Sequence, residues 1–135
     1  MNNTWPRMQV KWPDNKKIGI LMAFDVDAEC LWTQRGDGNR DHITNISRGT
    51  YGPKTGLPRI LKMLDAHNIK ATFYVPGWTA EQHPKIIKEL ADRGHEIGFH
   101  GYEHEEKGAN SREEEEAIMD RAEKCLRDIA GVQPV

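Results

Sequence analysis

The chain has 135 residues, of which 37% are hydrophobic and 30% charged, and a formal net charge of -2. That length suits one compact domain and is short for most closed barrels, and the composition is that of a soluble globular chain. With no basic excess to neutralise phosphates, a general nucleic-acid binder is excluded; the longest apolar run, Ile18 to Phe24, also falls far short of the roughly 20 residues a membrane span requires.

The first 17 residues, polar and carrying two prolines, read as an irregular lead-in. They contain no apolar stretch like that of a signal peptide, so a cytoplasmic location is expected. Ile18 to Phe24 is a continuous apolar run that stops at Asp25, the pattern of a strand buried on both faces in a parallel sheet. Residues 28–56 are rich in Gly, Asp, Asn and Arg without a period, and are expected to form a long functional loop. Leu57, Ile60, Leu61 and Leu64 then mark an amphipathic helix, with Pro58 in its first turn and Asn68 at its exit. Ile69 to Val75 reads as a second strand, cut off by Pro76-Gly77.

Pro84 opens a second helix with Ile86, Ile87, Leu90 and Ala91 inward and Gly94 as its stop. His95 to Phe99 is a short third strand. Ser111 and Glu114 form a capping box for a third helix, whose stripe is Ile118, Ala122, Cys125, Leu126 and Ile129 and whose end is Gly131. Cys30 and Cys125 show no CxxC spacing and are read as reduced thiols, Cys125 in the core. Strand and helix alternate three times, which indicates an α/β fold with parallel strands.

In such folds functional groups gather beyond the carboxyl ends of the strands. Two groups fall there: Asp25 and Asp27 after strand one, and His100 and His104 after strand three. Residues two apart share a strand face, so Asp25 and Asp27 project together, with Ala23, Leu21 and Gly19 below them. Two imidazoles and a carboxylate suit a divalent transition metal, zinc first, with cobalt, nickel or iron as alternatives, and leave positions for water and substrate. A second carboxylate free of the metal is what a general base for that water requires. His42, His67 and His83 are read as surface residues, and His95 lies on the opposite rim.

Several segments together resemble the polysaccharide deacetylase family, also called the NodB homology domain. They are Phe24-Asp-Val-Asp27, Ile46-Ser-Arg-Gly49, Gly56-Leu-Pro-Arg-Ile60, Ala71-Thr-Phe-Tyr-Val-Pro-Gly77 and Gly94-His-Glu-Ile-Gly-Phe-His-Gly-Tyr-Glu-His104. The subgroup most similar holds cyclic-imide hydrolases, allantoinase-like proteins and peptidoglycan-deacetylase homologues. The resemblance implies a partial distorted (β/α) barrel, with residues 1–135 as the N-terminal half of the catalytic domain. It implies that Asp25 is the catalytic base and that Asp27, His100 and His104 are the metal ligands. It further implies hydrolysis of a carbon-nitrogen amide bond by a metal-bound water.

Trp32 and Trp78 would then stand in loops that wall the substrate pocket. The missing export signal favours a soluble small-molecule amide, such as a cyclic imide or ureide, over a polymeric amino sugar. In the family pattern an Arg-x-Pro motif, a further aspartate and a histidine general acid lie beyond Val135. An alternative therefore stays open, an incomplete half-domain that binds metal or serves in assembly without turnover. Either way an uncovered apolar face predicts a homo-oligomer.

One rival enzyme class shares the start of this pattern. A buried strand ending in Asp-x-Asp resembles the haloacid-dehalogenase-type phosphatases, which want a Ser or Thr ending strand two. Strand two ends in Val75-Pro76 instead, and that class leaves His100 and His104 idle.

Overall fold

A computed structural model describes residues 11–33, 42–105, 108 and 110–135. Three strands, β1 (Ala23–Asp25), β2 (Thr72–Val75) and β3 (Glu96–Phe99), form a parallel sheet in the order β1-β2-β3. Among the described residues six α-helices accompany them: α1 (Cys30–Thr33), α2 (Ile43–Gly49), α3 (Leu57–Ala66), α4 (Gly77–Gln82), α5 (Pro84–Asp92) and α6 (Arg112–Ala130). The sheet is open. Val135 extends it by one residue beyond β3, donating to the Ile97 carbonyl at 3.0 Å and accepting from the Phe99 N–H at 3.2 Å.

The expected side-chain alternation organises the two faces. Phe73, Val75 and Ile97 point to the helices and are at most 2% exposed, packed with Leu61 and Leu64 of α3, Ile87 and Leu90 of α5, and Leu126 of α6. Phe24 joins them by stacking on Phe73 at 5.2 Å. Ala23, Asp25, Thr72, Tyr74, Glu96 and Gly98 occupy the other face. Gly98 is held small there, because a Cβ would lie 2.5 Å from the Tyr74 ring.

The helix ends follow local chemistry. Ser111 accepts from the Glu114 N–H while the Glu114 carboxylate accepts from the Ser111 N–H, so the capping box forms as read. Gly131 closes α6 in the left-handed region, at φ 75°.

Three expectations need correction. The strand read over Ile18 to Phe24 joins the sheet only from Met22, whose carbonyl accepts from the Thr72 N–H at 3.0 Å, and Ile18, Ile20 and Leu21 are 69%, 75% and 97% exposed, because no described element covers that run. Residues 28–56 are not one long loop: α1, α2 and a π-helical segment, Gly52–Gly56, run through them, and the last leads straight into α3. Residues 34–41 of that stretch lie outside the described residues. Third, Cys125 packs against the core as read but is only partly buried, donating its S–H to the Gly77 carbonyl at 3.3 Å, and it is Cys30 that is fully buried.

Candidate metal centre

β1 delivers Asp25 and Asp27 to the carboxyl rim of the sheet, and the turn after β3 delivers His100 and His104. One ligand atom each from Asp27, His100 and His104 lies within 4.8 Å of the others. His100 Nε2 stands 3.7 Å from Asp27 Oδ1, and His104 Nε2 stands 4.0 Å from Asp27 Oδ2. The two rings meet edge to face with centroids 5.0 Å apart. These separations exceed hydrogen-bonding distance. Asp27 Oδ1 is moreover buried with no hydrogen-bond partner, a costly state for a carboxylate oxygen unless a cation faces it. The donor set and the gap between its atoms fit a divalent metal ion.

The backbone around the triad is tightly specified. Val26 N–H donates to the Tyr74 carbonyl at 2.8 Å, so the chain stays bonded to β2 through Val26, the residue before Asp27. Ala28 then adopts φ 52° and turns the chain into α1. Gly49, at the end of α2, fits against this turn only because it has no side chain: a Cβ would lie 2.5 Å from Glu29 Cα. On the histidine side, His100 N–H donates to the Val75 carbonyl at 3.2 Å. Gly101 and His104 take φ 70° and 61°, folding the HxxxH segment into a compact loop rather than a helix. The Glu105 carboxylate closes that loop, accepting from the Tyr102 and Glu103 N–H groups at 3.1 and 2.9 Å.

The electrostatics favour a cation. Burial, followed by Glu103, Glu105, Asp27 and Glu29, pushes the Cys30 thiol up to about 12. Burial, the largest cause, would penalise a cation as well; the four carboxylates are the part of that environment that favours a positive ion.

Two clefts flank the triad. One, of about 380 Å³, is lined by Asp25, Asp27, Ala23, Tyr51, Pro53 and Leu57 among others. The second, of about 290 Å³, lies between His100, His104, Phe99 and Met119. Asp25 is exposed in the first cleft, beside Asp27 but outside the triad. Trp32 and Trp78 stand in α1 and α4 rather than in loops, both partly buried, and neither lines these two clefts. The Arg48 guanidinium lies 5.8 Å from the Trp32 ring centre.

His83, read as a surface residue, is instead paired with Glu29 at 2.8 Å, with side chains only 17% and 9% exposed. The sequence carries no signal for that pair, whose members are 54 positions apart. Tyr102, inside the HxxxH segment, also escaped the sequence reading. It is 4% exposed, and its hydroxyl donates to Glu81 Oε2 at 2.7 Å and accepts from Arg121 at 2.6 Å. Burial and the Glu81 carboxylate push its phenol up to about 12. An apolar ring between two histidines, where an exposed loop should be polar, was the available clue.

Known proteins share this arrangement of sequence and fold. The polysaccharide deacetylase family profile matches residues 50–135. A peptidoglycan deacetylase of Helicobacter pylori is 34% identical over 119 residues, which are 88% of this chain and 40% of that protein. The crystal structure of a putative polysaccharide deacetylase from Mycobacterium smegmatis superposes with a TM-score of 0.88 at 41% identity, covering 93% of this chain and 44% of that one. An allantoinase structure, Puue, superposes with a TM-score of 0.64 at 31% identity over 67% of this chain and 30% of its own. The chain thus spans less than half the length of these relatives. On the match to its profile and on its parallel strand-helix layout, the chain belongs to the polysaccharide deacetylase family.

Proposed function

We propose that this chain carries the metal-binding part of a hydrolase of carbon-nitrogen amide bonds, with Asp27, His100 and His104 as ligands and Asp25 as general base. The observation that carries the reading is the Asp27 carboxylate, whose buried Oδ1 has no hydrogen-bond partner, facing two imidazole nitrogens: His100 Nε2 stands 3.7 Å from Oδ1 and His104 Nε2 4.0 Å from Oδ2. A divalent ion held there, zinc by preference, would supply a Lewis acid for an amide carbonyl and lower the pKa of water. Asp25, on the open face of β1 and lining the larger cleft, is free to take a proton from a water in that cleft. The cleft suits a small amide or one amino-sugar residue. Trp32 and Trp78 are assigned to substrate only if it extends beyond that cleft. An intracellular site of action belongs to the same reading.

The test separates binding from chemistry. His100→Ala and His104→Ala should each weaken zinc binding about 100-fold or more, measured by competition with a chromophoric chelator. Asp25→Asn should keep the metal, while hydrolysis of an N-acetylated sugar or cyclic imide falls about 100-fold or more in any form of the protein that turns over. Undiminished zinc affinity in both histidine variants would sink the ligand assignment. Loss of zinc in Asp25→Asn would exchange the roles of the two aspartates.

A further inference from the structure

The two ligand-bearing segments both bond to β2, Val26 N–H to the Tyr74 carbonyl and His100 N–H to the Val75 carbonyl, and both are also fastened to one short helix. Thr79 of α4, fully buried, donates its hydroxyl proton to the Asp27 carbonyl at 2.9 Å. That carbonyl also accepts from the Cys30 N–H at 3.0 Å. At the start of α4, the Gly77 and Trp78 N–H groups donate to the carbonyls of Gly101 and Tyr102 at 3.1 and 2.8 Å. Those carbonyls belong to the loop between the two histidines. Farther along α4, Glu81 accepts the Tyr102 hydroxyl, and Arg121 of α6 donates to that hydroxyl while its guanidinium lies 3.4 Å from the ring centre. Gly77 leaves the room this needs, since a Cβ would lie 2.7 Å from the Tyr102 ring and 3.2 Å from Ala122 Cα. Past its last turn, His83 pairs with Glu29, two residues after Asp27.

A six-residue helix is marginal by itself, so these bonds are not incidental to a preformed rod. They tie Asp27 on one side and His100 and His104 on the other to a common body. We propose that α4 is the gauge of the candidate metal centre: Thr79, through the Asp27 carbonyl, and the Glu81–Tyr102 pair, through the histidine loop, are positioning residues that set the spacing of the three ligands. This rests on the ligand assignment above. None of these side chains reaches the ligand atoms, so their effect is on how well the triad is preorganised.

Zinc affinity and metal-free thermal stability of the full chain, measured together, test it. Thr79→Val keeps the shape and removes the donor, and should weaken zinc about 10-fold or more, with Thr79→Ser restoring wild-type binding. Glu81→Gln and Tyr102→Phe should weaken zinc in the same direction. A purely structural role would lower the metal-free melting temperature in all three without moving the affinity, and that result would overturn the proposal. Zinc affinity in Thr79→Val within about twofold of wild type would overturn it too. If Thr79→Val does not fold, Tyr102→Phe decides by the same two criteria. Wild type and His104→Ala serve as references. If they bind zinc equally, the ligand assignment itself has failed; if only wild type binds and the α4 variants match it, the assignment stands and the positioning role falls.

Discussion

The two faces of the sheet, built from the same three strands, meet opposite fates. On the helix-facing side Phe73, Val75, Ile87, Leu90 and Leu126 are wholly buried. On the other side Tyr74 is 38% exposed and Asp25 lies open, while Leu21, on the approach to β1 and on the same parity, is 97% exposed. An apolar side chain is stabilised by what covers it, not by being in a strand. Among the described residues, a cover is supplied for one face only. The candidate metal centre lies on the rim where the two faces meet, so its ligands gain their rigidity from the helical side while opening toward the uncovered one.

That contrast predicts effects of very different size. Phe73→Ala, which removes a ring packed against Phe24, His95 and the helices, should cost about 3–5 kcal/mol in a denaturant titration. A loss below about 1 kcal/mol would mean the covered face is as loosely packed as the open one. A smaller effect belongs to His95, on the same face at the start of β3. Its Nδ1 accepts from the Ala71 N–H at 3.3 Å, and its Nε2 is buried without a partner. Burial holds its pKa below the usual 6.5, with Lys70 and Arg93 acting in the same direction and Asp65 against it. The unfolded chain therefore binds the proton more readily. His95 should favour folding fully above about pH 6.5 and lose that contribution as the pH falls toward its lowered folded value. Urea titrations from pH 5 to 7 should show stability falling with acid more steeply in wild type than in His95→Gln, and equal slopes would remove His95 as the cause.

How much of this was legible follows from where each signal is stored. The capping box, Pro58, Pro84, Gly94 and Gly131 act within one turn of their own residues, so the sequence displays them directly. The alternation that put Asp25 with Ala23 and Phe24 with the core is equally local. That an aspartate after β1 meets His100 and His104 could be read because parallel strands carry their ends to one rim, a topological consequence rather than a contact; the choice of Asp27 over Asp25 came from the family resemblance. What was hidden is tertiary. Pro76-Gly77 reads as a breaker, yet Gly77 opens α4, since bonds to the Gly101 and Tyr102 carbonyls hold that helix. Glu29 with His83 and Tyr102 with Arg121 leave no periodic trace. The apolar run before Ala23 misled for the converse reason: composition records that a segment can be buried, and says nothing about whether a cover is at hand.

The smallest expected effect on stability is the sharpest test of that last point. Ile20 and Leu21 are 75% and 97% exposed, so exchanging both for Ser removes almost no buried apolar area. If this run is bare in solution, Ile20→Ser/Leu21→Ser should change unfolding free energy by less than about 0.5 kcal/mol. The same exchange should change association, because Ile18, Ile20 and Leu21 form an exposed apolar stretch next to the β1 edge, which pairs with no further strand among the described residues. Light scattering across a concentration series should show wild type self-associating and the double variant shifted toward monomer. A stability loss that grows with protein concentration would show that a second copy covers the run, since only an assembled state gains stability by mass action. A loss of about 2 kcal/mol independent of concentration would instead show the run buried within the single chain, and the contrast between the two faces would disappear.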